Sequence, residues 1–189
     1  MSSEHCMAVR YPQDDDSETL REKIRRLQAV AWPGFEQEPW PDSRLHRTSL
    51  CLLEGETLLA HAAMEETALL HRGVPYRAAG LCEVVVSPAA RGKGLGSNLL
   101  AWTRRALAAS GADLCVFTSA PELKGFYSAA GFSCRDDVCV VGGTAEKPFR
   151  SDGLGLVCWL DILSDKARRR ERDFQNAEVF LPLGEGKLW

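Results

Sequence analysis

The apolar positions Leu20, Ile24, Leu27 and Ala31 fall at i, i+4, i+7 and i+11, the spacing of one helical face. The acidic run Asp14-Asp15-Asp16-Ser17-Glu18 precedes them, and carboxylates suit the positive end of a helix. Three prolines and a glycine in Trp32-Pro33-Gly34-Phe35-Glu36-Gln37-Glu38-Pro39-Trp40-Pro41 prevent continuation, so this stretch is predicted to be a loop carrying aromatic and acidic groups. Residues 48–54 and 57–70 read as strands around the Gly55-Glu56 turn. Arg72-Gly73 turns the chain again before Val74 to Tyr76, giving an antiparallel meander. Leu81-Cys82-Glu83-Val84-Val85-Val86 predicts a largely buried strand ended by Ser87-Pro88, with a single carboxylate, Glu83, inside it.

Apolar residues at Leu95, Leu99, Trp102 and Ala106 mark a second helix closed by Ser110-Gly111, and Leu114-Cys115-Val116-Phe117 follows as a short strand. Ser119-Ala120-Pro121-Glu122 matches a capping box, and Leu123, Phe126, Tyr127 and Ala130 share the face of a short helix stopped by Gly131. Two more strands are predicted near 138–141 and 154–160. Lys166 to Arg172 reads as a solvated helix face leading into a tail, yet an indole at Trp189 gains nothing from water, which argues that it docks.

At 189 residues the chain bounds one domain with a sizeable core, too short for an eight-stranded α/β barrel or a pair of full domains. Its 23 basic and 26 acidic residues give a net charge of -3, the wrong sign for a general nucleic-acid binder. No apolar run approaches membrane-spanning length, and the first residues lack a basic-then-apolar leader. Seven cysteines, mostly in apolar runs and without a CxxC pair, read as small buried hydrophobes; the four histidines show no ligand spacing, so no metal is expected. Together these point to the cytoplasm.

The chemistry lies in Arg91-Gly92-Lys93-Gly94-Leu95-Gly96-Ser97, between the Glu83 strand and the second helix. Glycines let backbone amides converge, the helix N-terminus adds partial positive charge, and Arg91 and Lys93 supply full charges, which makes a pyrophosphate cradle. A merely tight strand-to-helix turn is the plainer alternative. GxxxxGK[ST] is absent, and GxGxxG fails because Ser97 stands where glycine is required.

What remains, R-G-x-G-[L/I]-G, resembles the acetyl-coenzyme A loop of the GCN5-related N-acetyltransferases (GNAT). Phe126-Tyr127-Ser128-Ala129-Ala130-Gly131-Phe132 and the order of elements over roughly residues 17–162 add to the likeness. The resemblance implies a mixed α/β GNAT fold: a central, mostly antiparallel twisted sheet, splayed at the acetyl-coenzyme A site and flanked by helices, with residues 1–189 as one domain. Asp16-Ser17-Glu18-Thr19, Ala60-His61-Ala62-Ala63, Ser119, Asp152-Gly153, Leu160-Asp161-Ile162 and Trp189 further resemble the aminoglycoside 2'-N-acetyltransferases. In that branch the terminal Trp and its carboxylate help form the antibiotic pocket.

Amide formation needs a neutral amine, a polarised thioester and a protonated leaving thiolate. Glu83 is the base candidate, through water, with a buried structural carboxylate as the alternative; the family counterpart favours the active role. Tyr127 is the acid candidate, with a core tyrosine as the alternative. Alternation turns Cys82 to the opposite face from Glu83. Backbone groups of Val84, Val85, Val86 and Ser87 should pair with pantetheine. Glu36, Glu38, Asp152 and the Trp189 carboxylate are expected to hold a polycationic aminoglycoside, with Ser119 as a neutral partner. Lys187 stands where the family carries an acid, which suits a less charged acceptor such as kasugamycin. The alternatives are transfer to another small-molecule or peptide amine, or a non-catalytic acyl-coenzyme A binding module. Many family members form homodimers; no apolar stripe here argues for one.

Overall fold

The computed structural model describes residues 4–11, 18–34 and 46–189. Glu36, Glu38 and the run Asp14-Asp15-Asp16-Ser17 lie outside the described residues. In chain order the elements are β1 Glu4–Tyr11, α1 Glu18–Ala31, β2 Arg47–Glu54, β3 Thr57–His71, β4 Val74–Val86, α2 Leu95–Ser110 and β5 Leu114–Ser119. There follow α3 Lys124–Ala129, β6 Val138–Gly143, β7 Pro148–Arg150, β8 Val157–Ile162, α4 Asp165–Arg168 and β9 Ala177–Phe180. Two sheets form, a six-stranded one in the order β1-β2-β3-β4-β5-β8 and a three-stranded one in the order β7-β6-β9. The mixed α/β class and the mostly antiparallel sheet agree with the sequence reading.

The chain divides into two compact units, Met1–Glu65 with Cys82–Thr103, and Glu66–Leu81 with Arg104–Trp189. In the first, β2 pairs antiparallel with β1 (Met7↔Cys51) and with β3 (Cys51↔His61). The apolar stripe of α1, Leu20, Ile24 and Leu27, packs on Cys51, Leu53, Leu58 and Val85, with Met7 and Ala31 at its edge. Each fully buried Leu or Ile there is worth about 1.5–3 kcal/mol of transfer free energy, which is why a 14-residue helix of modest propensity holds.

In the second unit β5 pairs antiparallel with β8, placing Phe117 opposite Trp159, and these rings stack at 5.7 Å. Tyr127 and Phe132 close the cluster edge-on to Phe117. The parallel pairing of β4 with β5 is confined to Ala78↔Leu114 and Ala79↔Cys115. From Gly80 onward β4 therefore has no β5 partner.

Several elements depart from the sequence reading. β4 is one strand of 13 residues rather than two pieces, because pairing overrides the low strand propensity of Pro75 and Gly80. β1 and β9 have no clear alternation, and they owe their form to β2 and β6. The capping box at Ser119 does not form: Ala120 precedes a 3-10 turn, Pro121–Leu123, without a side-chain cap. The Ser119 hydroxyl instead accepts from Trp159 Nε1 at 2.9 Å, which removes it from capping. Lys166 to Arg172 splits between α4 and a 3-10 turn, Glu171–Phe174, instead of one helix face.

The end of the chain is docked rather than mobile. Trp189 is buried, Leu181 N–H donates to Val141 O, and the Trp189 main-chain oxygen accepts from Thr118 N–H at 2.8 Å. All six described cysteines are free; Cys51, Cys115 and Cys158 are buried, and Cys82, Cys134 and Cys139 partly so. Burial pushes the Cys51 and Cys158 thiols up to about 12 and Cys115 well above its ordinary value.

Candidate active site

The glycine turn keeps the geometry its sequence asks for. After β4 a single 3-10 turn, Pro88–Ala90, leads through Arg91 to Gly92 at φ +73° and Gly94 at φ +79°, and α2 starts at Leu95. Arg91, Gly92, Lys93, Gly94 and Ser97 are exposed, Gly96 is half-buried and Leu95 is buried beneath them. A Cβ on Gly92 or Gly94 would meet no protein atom within 4 Å, so the two amide turns open onto empty space at the N-terminus of a 16-residue helix. Arg91 is steadied by a 3.3 Å hydrogen bond from its Nε to Val86 O. Such a helix end, with two glycines and two cations, can hold phosphate groups. Val84 and Val86 are half-buried and Val85 faces the core, while Ser87 N–H donates to Leu59 O.

Glu83 does not stand alone. Both of its carboxylate oxygens accept from Arg47, Oε1 from Nη1 at 3.1 Å and Oε2 from Nη2, and Oε2 also accepts from Gln28 Nε2. Arg47 in turn reaches Glu65 Oε1 at 2.9 Å. Arg47 and Gln28 are 1% and 2% exposed, so a guanidinium and an amide that sequence reading missed lie directly behind the predicted base. Burial opposes the charge of Arg47, yet the Glu83 carboxylate, and after it Cys82 and Glu65, keep its pKa above the ordinary guanidinium value. No periodicity marks Arg47, and the one available signal is a lone cation opening an otherwise apolar strand.

Glu83 also has φ +55°, a left-handed conformation in mid-strand that costs a non-glycine residue about 1–3 kcal/mol. It breaks the alternation of β4, and this corrects the expected placement of Cys82: its sulfur lies 4.0 Å from Arg47 Nη1, toward the same guanidinium as Glu83. On the neighbouring strand His61 is fully buried against the Glu83 main chain, with neither ring nitrogen in full hydrogen-bond geometry. Burial first, and then the Arg47 charge, push its pKa well below 6.5, while the Glu83 main chain opposes the shift.

Because the unfolded chain takes up a proton at His61 near pH 6.5 and the folded chain does not, stability should be complete above that pH and fall below it. The expected loss between pH 7.5 and 5.5 is about 1 kcal/mol. Urea melts of the native chain and of His61→Gln at both pH values check this, and the variant should show the shallower dependence.

In the second unit Tyr127 is buried among Phe117, Phe126, Phe132 and Trp159. Ser119 bridges Trp159 Nε1 and Ala120 O, which ties its hydroxyl to the fold. Asp152 lines a cavity of about 420 Å³ together with Arg150, Ser151, Cys139 and Glu178. Its carboxylate accepts two hydrogen bonds from Arg150, which hold it below the ordinary carboxylate range. Trp189 lies against Gly80, where a Cβ would fall 1.9 Å from its Cε3. Lys187 is exposed. Among the described residues no group of His, Cys, Asp or Glu is arranged to hold a metal ion, and no helix is long and apolar enough to cross a membrane.

Residues 54–134, which run from the last residue of β2 to the segment between α3 and β6, match the family model described as the acetyltransferase (GNAT) domain. No curated protein matches the chain significantly. Among solved structures, an acyl-CoA N-acyltransferase from Pseudomonas aeruginosa superposes with a TM-score of 0.57 at 18% identity, covering 84% of this chain and 99% of the other. ElaA of Escherichia coli gives 0.58 at 14% identity with the same coverage. An aminoglycoside 6'-N-acetyltransferase complexed with coenzyme A gives 0.54 at 12% identity, over 84% of this chain and 97% of that one. At these identities the likeness is one of fold.

Proposed function

We propose that residues 1–189 act as a single N-acetyltransferase domain that transfers acetyl from acetyl-coenzyme A to a primary amine. The observation that carries this reading is the run from an unpartnered β4 edge into the Gly92–Gly94 turn and helix α2, inside the segment that matches the GNAT domain. Arg91, Lys93 and the amides of Gly92 to Ser97 hold the pyrophosphate, and main-chain groups of Val84 to Ser87 hold the pantetheine arm. The amine nitrogen attacks the thioester carbon, the carbon–sulfur bond breaks, and no enzyme-bound acyl group forms. The amine proton leaves through water to Glu83, and Tyr127 protonates the departing thiolate.

For the acceptor, we propose an aminoglycoside 2'-amine, conventional or of the kasugamycin kind, with modification conferring resistance. Support comes from Asp152 at a polar cavity, from Trp189 seated against β4 and β5, and from Ser119 nearby in β5; Glu36 and Glu38 complete the set. One structure sharing the fold is an aminoglycoside acetyltransferase of different regiochemistry. The coarser reading, another small-molecule or peptide amine, needs only the donor half. A cytoplasmic setting, consistent with free thiols, and a homodimer complete the proposal.

The test is coenzyme A release across conventional aminoglycosides, kasugamycin and simple amines, with the acetylated nitrogen located by NMR. Tyr127→Phe is expected to lower kcat by about 100-fold, the usual scale of general acid catalysis, with KM for acetyl-coenzyme A nearly unchanged. A variant of native activity would count against Tyr127 as the acid. Coenzyme binding without release by any amine would favour a binding module.

A further inference from the structure

The surroundings of Glu83 restrict which of its atoms can take part in proton transfer. A carboxylate offers about four lone-pair sites, two on each oxygen. On Oε2 both are taken, by Arg47 Nη2 and by Gln28 Nε2. On Oε1 one is taken, by Arg47 Nη1 at 3.1 Å. The Gln28 amide can only present its NH₂ here, since its carbonyl would face a carboxylate oxygen. The Glu83 side chain is 18% exposed, whereas Arg47 is 1% exposed, so what remains open on the carboxylate faces away from the guanidinium.

We infer that Arg47 and Gln28 are positioning residues of the transfer reaction: they fix the Glu83 carboxylate so that only Oε1 is open to the water or amine whose proton it takes. The inference rests on the acetyl-transfer reading above. Arg47 opens β2 and Gln28 comes from α1, so two elements converge on one residue of β4, and Glu65 of β3 binds Arg47 in turn. What is gained is orientation, since a proton relay needs the acceptor lone pair within hydrogen-bond reach of the reacting group. Glu83 itself, at φ +55°, leads directly into Val84 to Ser87.

Two variants test this. Gln28→Leu removes the second donor to Oε2 without leaving a buried charge unpaired, and Arg47→Lys keeps the charge but loses the two-pronged fork. Either change loosens the hold on the carboxylate, so kcat should fall roughly 10-fold or more, while KM for acetyl-coenzyme A stays within about two-fold.

A merely structural role would lower the melting temperature and leave kcat of the folded variant near its native value. If Arg47→Lys fails to fold, Gln28→Leu carries the test. A native chain that turns over, with Gln28→Leu folded and keeping native kcat, overturns the inference alone. A native chain that releases no coenzyme A with any amine overturns the acetyl-transfer reading and this inference with it.

Discussion

Replacing Gly80 by alanine is expected to expel the Trp189 indole. The added methyl carbon would fall 1.9 Å from Cε3 and 2.2 Å from Cδ2 of that ring, and β4 is held to β5 at the immediately preceding Ala78 and Ala79. The ring is the part that can move. The cost should approach that of losing the buried side chain outright, about 3–5 kcal/mol for Trp→Ala. Trp189→Ala should cost a similar amount, and the two losses should not add. With the indole gone, the alanine at position 80 meets nothing, so the double variant should be about as stable as Trp189→Ala, a coupling of 2 kcal/mol or more. Urea melts of the four proteins measure it. If the indole also walls the acceptor pocket, both single variants should raise KM for the acceptor by at least about 10-fold and leave that for acetyl-coenzyme A within two-fold. Additive stability losses would place the two residues out of contact, and an equal rise in both KM values would remove Trp189 from the pocket.

The second large effect is expected at Gly94. A side chain there meets no protein atom, so the protein itself pays only for the left-handed φ of +79°, about 1 kcal/mol for alanine. A phosphate group seated on the turn would meet that side chain directly. Gly94→Val is therefore expected to raise KM for acetyl-coenzyme A roughly 100-fold, equivalent to about 2.7 kcal/mol of lost binding, with stability reduced by less. Gly55 supplies the control. It has φ +56° and equally open surroundings in the β2–β3 turn, so Gly55→Val carries comparable strain and should leave KM unchanged. A similar small effect at both positions would mean that the turn is only a turn.

Much of the fold is legible in the sequence where a local pattern and a tertiary role coincide. The face of α1 can be read because Leu20, Ile24 and Leu27 all enter one core. The strand, turn and helix around Arg91 to Gly96 can be read because glycine, proline and an apolar stripe follow one another without conflict. What escapes is what neighbours impose. β4 is continuous through Pro75 and Gly80 only because other strands hold it, and Ser119 gives up capping because an indole reaches it first.

The candidate site divides in the same way. The exposed glycine turn is visible as a string. The Glu83 environment is not, since Gln28 and Arg47 are separated from it by 55 and 36 positions and meet it only in the folded chain. Alternation fails at Cys82 because one residue departs from strand geometry, and nothing in the string Leu81-Cys82-Glu83-Val84 announces a left-handed φ.

The buried thiols bear on how any of these rates can be followed. Disulfide reagents react with thiolates, and Cys51, Cys115 and Cys158 are withdrawn from solvent with their thiols held protonated far above neutral pH. Burial raises Cys82 and Cys134 in the same sense. These five thiols should therefore add little to a colorimetric thiol titration, against which newly freed coenzyme A can be counted continuously.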